Sequence, residues 1–338
     1  MKPTMFCIWP GFISRYARQV SNPLENLNHY FHKNYKRSFG LSDNPSSSGN
    51  LDQTLQSPQT AQEPYLVTVV QGRSKKPSSL RERANRRFGE DSWFVSSTPR
   101  AEVLGVADGV GGWRDMGVDA GRFAKELMGC CCGHAEQVDF DARNPRSLLV
   151  SSYQDLKDRE DPVVGSSTAC VVAMHRKDLT LYTANLGDSG FLVLRNGRVL
   201  HRSQEQTHDF NTPFQLTVAP SHKRDSFHCD RPEMAAVSRH SLAPGDLVLL
   251  ATDGLFDNMP ESMLLEMLRK FHGVRDEREL QEGATQVVER ARELSMNASF
   301  QSPFALKARA NNIFYSGGGK PDDITLILAS VEVPKVQR

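Results

Sequence analysis

Several familiar signatures are missing from this 338-residue sequence. The 41 Lys and Arg residues are balanced by 40 Asp and Glu, so no net field draws the chain to nucleic acid or to an anionic membrane surface. No apolar run approaches the roughly 18 residues of a membrane-spanning helix. The longest near the start, FCIWPGFI, is broken by Pro10 and Gly11. CxxC pairs are also absent. Six cysteines include the consecutive Cys130, Cys131 and Cys132, with Cys7, Cys170 and Cys229 scattered. Three successive side chains on a helix point three ways, which excludes a single zinc site, and the spacing is not that of a secreted disulfide framework. Buried, reduced thiols are the expectation. There is no internal repeat.

Two regions differ in composition. Up to Gly40 the basic residues Lys2, Arg15, Arg18, Lys33, Lys36 and Arg37 face one acid, Glu25, and LSDNPSSSGNLDQTLQSPQTAQEP then supplies almost no core-forming side chains. Residues 1–62 therefore read as a disordered extension, whose basic, acid-poor start suits either a mitochondrial transit segment or an ordinary tail. From 63 to 333 the signals are those of one packed domain, followed by a tail at 334–338. Strand-like runs are YLVTVVQ, SWFVSS, EVLGVAD, TACVVAMH, LTLYTANL, GFLVLR, DLVLLATD and DITLILASVEV,. Helical spacing is found near 118–132, 145–158, 260–272 and 277–294. Asn196-Gly197 is a hairpin signal. Runs of strands with segregated helices indicate an α+β fold on antiparallel sheets.

What is present is a recurring acid at strand ends. EVLGVADGVGGW is a buried-strand pattern ending on Asp108 in a glycine-rich turn. A single Asp-Gly is usually just a turn. Here DLVLLATDGLFDN repeats it at Asp253, GGGKPDDITLILASV sets Asp322 and Asp323 before a strand, and FGEDSWFV does the same with Glu90 and Asp91. If these acids converge, their repulsion calls for cations. Oxygen-only ligation favours hard ions such as Mg²⁺ or Mn²⁺. Gly109 frees the backbone so that its carbonyl can also face a metal. Two such ions about 4 Å apart can hold a hydroxide and neutralise a phosphoryl transition state. That chemistry fits a phosphoester hydrolase or a nuclease equally.

The ordered motifs GED, VADGVGG, GSSTA, ANLGDSG, ATDGLFD and GKPDDIT closely resemble those of the metal-dependent protein Ser/Thr phosphatases of type 2C, within them the Ptc-seven-like branch, whose members are often mitochondrial. The resemblance spans roughly 65–333. It implies an α/β/β/α sandwich of two antiparallel sheets, two Mn²⁺ or Mg²⁺ ions, phosphoserine and phosphothreonine proteins as substrates, and attack by a bridging hydroxide without a protein nucleophile. By motif, Asp91, Asp108, Asp253 and Asp322 match the metal-liganding acids. Gly109 matches the carbonyl ligand, and Glu90 matches an acid that holds a metal water. Asp188, Ser166, Ser167, Thr168 and Asp257 match positions that brace the site. Mitochondrial delivery is the expectation, with the cytoplasm as the alternative, and the chain is expected to act as a monomer with no nucleic-acid partner and no membrane span.

Two departures stand out. Many relatives carry His directly after the first Asp-Gly as acid for the leaving alkoxide, and here Val110 stands there. General acid help is typically worth about 10²–10⁴-fold, so a slower enzyme on alkyl phosphoesters is expected. His208 in EQTHDFNTPF is the candidate substitute. Many relatives also place an Arg four residues before the Glu, where Arg86 sits within RERANRRFGED, with Arg87 as the alternative phosphate clamp. Had an acid of the set been lost, a pseudophosphatase acting as an adaptor would be favoured. A nuclease would bring a basic groove that the balanced charge does not suggest.

Overall fold

Near-continuous apolar strands need cover on both faces, and the fold supplies it with two stacked sheets and two outer layers of helix. The computed structural model describes residues 6–8, 63–75, 87–220 and 227–334. Its strands are β1 (Phe6–Ile8), β2 (Tyr65–Arg73), β3 (Ser92–Ser97), β4 (Ala101–Ala107), β5 (Gly165–Ser167), β6 (Ala169–His175), β7 (Thr180–Leu186), β8 (Gly190–Arg195), β9 (Arg198–Arg202), β10 (Thr207–Asp209), β11 (Thr212–Pro213), β12 (Leu216–Val218), β13 (Ala236–Ser241), β14 (Leu247–Ala251) and β15 (Ile324–Glu332). The α-helices are α1 (Ala120–Ala135), α2 (Pro145–Lys157), α3 (Asp253–Phe256), α4 (Glu261–Leu268), α5 (Glu277–Ser295) and α6 (Pro303–Ala310). One six-stranded sheet runs β1-β3-β4-β6-β7-β13, and a five-stranded sheet runs β2-β15-β14-β8-β9. Neighbouring strands in both are antiparallel.

Alternation along the strands assigns each face. Leu104 and Val106 of β4, Val248 and Leu250 of β14, and Ile327 and Ala329 of β15 share the core between the sheets. Val103 and Ala107 turn outward onto Phe123, Leu127 and Met128 of α1. Leu247, Leu249, Leu326 and Leu328 turn the other way, onto Leu280, Ala284, Val287 and Ala291 of α5. The result is the four-layer α/β/β/α sandwich expected. Asn196 and Gly197 both have positive φ, 52° and 72°, the geometry of a tight hairpin turn joining β8 to β9.

The structure adds elements that periodicity does not disclose. The helix expected over 260–272 is α4 followed by a 3₁₀ turn at Arg269–Phe271. Helix α6 is short, and its signal is local: Ser302 caps Ala305 N and Pro303 takes the first turn,. Strand β13 (AVSRHS) is an exposed edge strand, so its sequence is polar rather than alternating,. Of the 1–62 extension only Phe6–Ile8 falls within the described residues, where it pairs with β3; the rest of the expected disordered extension lies outside them. Cys131 and Cys170 are buried free thiols and Cys130 is a half-buried one. Cys132 departs from the expectation of reduced thiols, being disulfide-bonded. Among the described residues no helix is long and apolar enough to cross a membrane.

Candidate active site

Antiparallel register brings the strand-end acids to one edge of the sandwich. Ser92 of β3 pairs with Ala107 of β4, so Asp91, before β3, stands beside Asp108, after β4. Ala251 of β14 pairs with Leu326 of β15, which likewise brings Asp253 next to the Asp322-Asp323 entry. The two pairs belong to different sheets, and Thr252 links them. Its hydroxyl donates to Asp91 Oδ2 at 2.8 Å and accepts from Thr325 N at 3.0 Å. Asp323 serves as a brace, accepting from Lys75 N at 2.7 Å and Glu90 N at 3.0 Å.

Glycine is required at two points by close approach. A Cβ on Gly109 would lie 2.3 Å from the Ala120 carbonyl oxygen and 2.7 Å from that of Glu90. A Cβ on Gly254 would lie 2.0 Å from the Asp323 carbonyl oxygen. Both glycines therefore let a strand-end acid sit against a neighbouring backbone. The backbone of Asp108 is held by Thr168, whose hydroxyl accepts from Asp108 N at 3.0 Å and whose N–H donates to the Asp108 carbonyl at 3.0 Å. Ser166 accepts from Trp113 Nε1 at 2.7 Å and donates to Gln215 Oε1 at 2.6 Å, and its carbonyl accepts from Val110 N. Ser167 bridges Gly109. Thus the GSSTA segment braces the Asp108 turn.

The cluster is strongly anionic, and three basic side chains enter it. Lys320 Nζ lies 2.5 Å from Asp253 Oδ2, 2.7 Å from Asp257 Oδ2 and 3.6 Å from Asp322 Oδ2. Lys75 Nζ lies 2.8 Å from Asp322, 3.3 Å from Glu90 and 3.5 Å from Asp323. Arg114 forks onto both oxygens of Glu90. Burial, then the charges of Asp253, Asp91 and Asp322, push the Asp108 carboxyl well above the ordinary range. Asp91 is raised by burial and then by Asp323, and Asp322 by burial and then by Asp253. Burial pushes Asp253 the same way, but the charge and hydrogen bond of Lys320, a hydrogen bond with Asp108 and the charge of Lys75 together outweigh it and leave this acid below its usual value. Asp257 is pushed up to about 6, chiefly by burial.

Asp91 Oδ1 and Asp253 Oδ1 are buried without a hydrogen-bond partner among the described residues. Orphaned carboxylate oxygens in an all-oxygen, anionic cluster are what a hard divalent cation satisfies. As the side chains stand, no three Asp, Glu, His or Cys among the described residues close on one ion, and the two lysines draw several of these carboxylates toward themselves. The donor chemistry fits divalent metal. Asp91, Asp108, Asp253 and Asp322 are brought together, with Gly109 and Glu90 beside them.

Other expected residues fare differently. Arg86 lies outside the described residues. Arg87 donates to the Gly72 carbonyl at 3.4 Å and is directed away from the acids. His208 bonds Asp230 Oδ2 through Nε2 at 2.9 Å and stacks on Phe214 and His228, so it is engaged in the β10–β12 region and bonds none of the acids of the cluster. Asp188 feels the charges of Asp253, Lys320 and Asp257, which places it at the site. Sequence reasoning missed Thr252, Lys75, Lys320 and Arg114. Lys320 was visible inside GKPDDIT, and Arg114 inside GGWRD, as cations adjacent to acidic motifs. Beside Asp253 and Asp257 opens a cavity of about 210 Å³, lined also by Phe210, Phe304, Lys307 and Asn311.

Comparison with known proteins identifies the family. Residues 81–293 match the family described as Protein phosphatase 2C. The chain is 82% identical over 338 residues to the Drosophila ananassae protein named "Protein phosphatase PTC7 homolog fig", covering 100% of both. It is 71% identical over 287 residues to the Drosophila melanogaster protein of that name, covering 85% of this chain and 91% of the other. Among solved structures, that of the photosystem II phosphatase PBCP superposes with a TM-score of 0.64 at 27% identity, covering 80% of this chain and 99% of that one.

Proposed function

This chain belongs to the protein phosphatase 2C family and is a phosphatase, and from that premise we propose that it removes phosphate from phosphoserine and phosphothreonine in proteins with two divalent ions, Mn²⁺ or Mg²⁺. The observation that carries the proposal is the meeting of Asp91, Asp108, Asp253 and Asp322 from two sheets, with orphaned oxygens on Asp91 and Asp253. These four acids and the Gly109 carbonyl would hold the metal, and Glu90 would orient water beside it. When bound, the ions supply a nucleophile at neutral pH and neutralise the charge developing on the phosphoryl group.

The chain's own residues do the rest. Thr252 fixes the rotamer of Asp91 across the two sheets, and Thr168 fixes the turn that presents Asp108. The side chain of Val110 donates no proton to the departing alkoxide, and His208 is committed to Asp230. Leaving-group protonation therefore falls to water, which slows alkyl esters more than aryl esters. The cavity beside Asp253, where Phe210 and Phe304 stand among mostly polar residues such as Thr207, Asn211 and Lys307, offers a seat for the peptide chain next to the phosphorylated residue.

Full-length protein given Mn²⁺ should hydrolyse a phosphothreonine peptide, with loss of turnover on adding EDTA and in Asp108→Asn. Failure to turn over any phosphoester with Mn²⁺ or Mg²⁺ would sink the proposal and favour an adaptor role. Mitochondrial delivery is part of the same reading, supported by the basic, acid-poor residues 1–40. A fluorescent fusion lacking residues 1–62 should lose mitochondrial signal that the full chain retains.

A further inference from the structure

Lys320 is positioned as carefully as the acids it touches. Its N–H donates to Asn258 Oδ1 at 2.8 Å, and its carbonyl accepts from Asn258 Nδ2 at 2.8 Å. Asn258 is fully buried and also donates to the Gly254 carbonyl at 2.9 Å. One side chain thus locks the Lys320 backbone to the turn that carries Asp253. The lysine stem reaches inward, only 15% of the side chain is exposed, and the ammonium lies 5.0 Å from the centre of the Phe304 ring. At its end the ammonium bridges Asp253 and Asp257. The framework around those acids is itself fixed, since Asp257 N donates to the Asp253 carbonyl at 2.7 Å and Phe304 N to the Asp257 carbonyl at 3.0 Å. A surface lysine with a chance ion pair has no such double backbone clamp.

Asp253 is also one of the acids assigned to metal. One carboxylate oxygen faces the ammonium while the other, Oδ1, is buried with no hydrogen bond of normal geometry among the described residues. We propose that Lys320 is a tethered counter-cation that competes with divalent metal for Asp253, holding Asp253 and Asp257 together without metal and weakening metal affinity when it is offered. The inference rests on the two-metal reading above and assigns the lysine a positioning role. Asp257 gives the ammonium a second anchor, so Lys320 yields Asp253 to an incoming ion without leaving the cluster. The metal-free site is thereby spared the mutual repulsion of Asp253, Asp257 and Asp322, at the expense of tight binding.

The sign of the effect separates this role from a merely structural one. Removing a structural residue loosens a site and weakens metal binding, whereas removing a competing positive charge strengthens it. A unit charge a few ångströms from a doubly charged ion changes its affinity about tenfold even at the dielectric of water. Full-length chain, stripped with EDTA and dialysed, is titrated with MnCl₂ by calorimetry. Lys320→Met should bind Mn²⁺ at least about tenfold more tightly than the natural chain, while Lys320→Arg, which keeps the charge, should stay within about threefold of it. The melting temperature without metal should fall in Lys320→Met, and its rise on adding Mn²⁺ should be larger. If Lys320→Met does not stay folded without metal, Lys320→Gln, which is uncharged but keeps a polar N–H donor, is titrated in its place with the same tightening expected. Mn²⁺ binding to the natural chain with equal or weaker binding to the uncharged variant overturns the role given to Lys320. No Mn²⁺ binding to the natural chain overturns the metal reading beneath it.

Discussion

Replacing Thr252 by valine removes one hydroxyl from the junction between the sheets and changes little else in volume. That hydroxyl makes two hydrogen bonds, donating to Asp91 Oδ2 and accepting from Thr325 N, and Thr252 is fully buried. Valine leaves the Thr325 N–H buried without its acceptor, at about 1–3 kcal/mol. Loss of the bond to Asp91 adds about 1 kcal/mol, the ordinary net worth of such a bond. The two are coupled through one atom, so about 2–4 kcal/mol is expected in total. For a domain of this size each kcal/mol shifts the melting temperature by about 2–4 °C. A fall of about 4–16 °C should follow in the metal-free protein, measured by circular dichroism and checked against the urea midpoint. Asp91 also loses the donor that sets its orientation, and partners of that kind are worth about 10–100-fold in metal affinity. Mn²⁺ affinity should drop by that factor in Thr252→Val and be largely kept in Thr252→Ser. A valine variant within about 0.5 kcal/mol of the natural stability, the usual spread of a neutral surface change, would refute the role assigned to this hydroxyl.

Other perturbations test other parts of the structure. Val110→His should raise kcat on a phosphoserine peptide by about tenfold or more and change an aryl phosphate little; equal pH–rate profiles for the two proteins would remove the missing-acid argument. Gly254→Ala puts a methyl group 2.0 Å from the Asp323 carbonyl oxygen, which backbone movement alone relieves, so about 3 kcal/mol of stability and most Mn²⁺-dependent activity should be lost together. His201 and His240 pack at a tilt, ring centroids 3.9 Å apart, between edge strands of the two sheets. Burial holds both below the ordinary 6.5, and His201 adds to the effect on His240. The unfolded chain therefore takes up protons there first, and stability present above about pH 6.5 should decline as pH falls through the lower folded values. Urea unfolding of His240→Gln between pH 7.5 and 5 should show a shallower decline than the natural chain.

How much of this was legible in sequence depends on how local each signal is. Asp108 and Asp253 announce themselves because a buried strand ending in Asp-Gly is written in consecutive residues, and the sandwich follows from strands apolar on both faces. Edge strand β13 reads as a loop, since its exposed face carries Val237, Arg239 and Ser241 and its other face adds the polar Ser238 and His240. The contacts of Thr252 and Lys320, unlike the residues themselves, are invisible for another reason. Thr252 meets Asp91 across 161 positions and Lys320 meets Asp253 across 67, and no period or cap links such pairs. Long-range polar partners of a site belong to register and layer stacking, which a single chain's pattern does not specify.

The same geometry explains why the acids tolerate one another at all. Antiparallel pairing places the start of β3 beside the end of β4 and the end of β14 beside the start of β15, so each sheet alone delivers acids in pairs. Stacking the sheets then brings the two pairs together at one edge, where the backbone leaves regular pairing and glycines permit close approach. A residue placed there cannot escape its neighbours by changing rotamer, because Thr252, Thr168 and Asn258 pin the turns from behind. Repulsion must be met by cations, and the chain supplies Lys75, Lys320 and Arg114 from three separate segments. On the role proposed for Lys320, metal binding is an exchange of tethered charge for divalent charge rather than the filling of a bare acidic cleft. Its strength should track the side-chain charge at position 320 more closely than the number of acids.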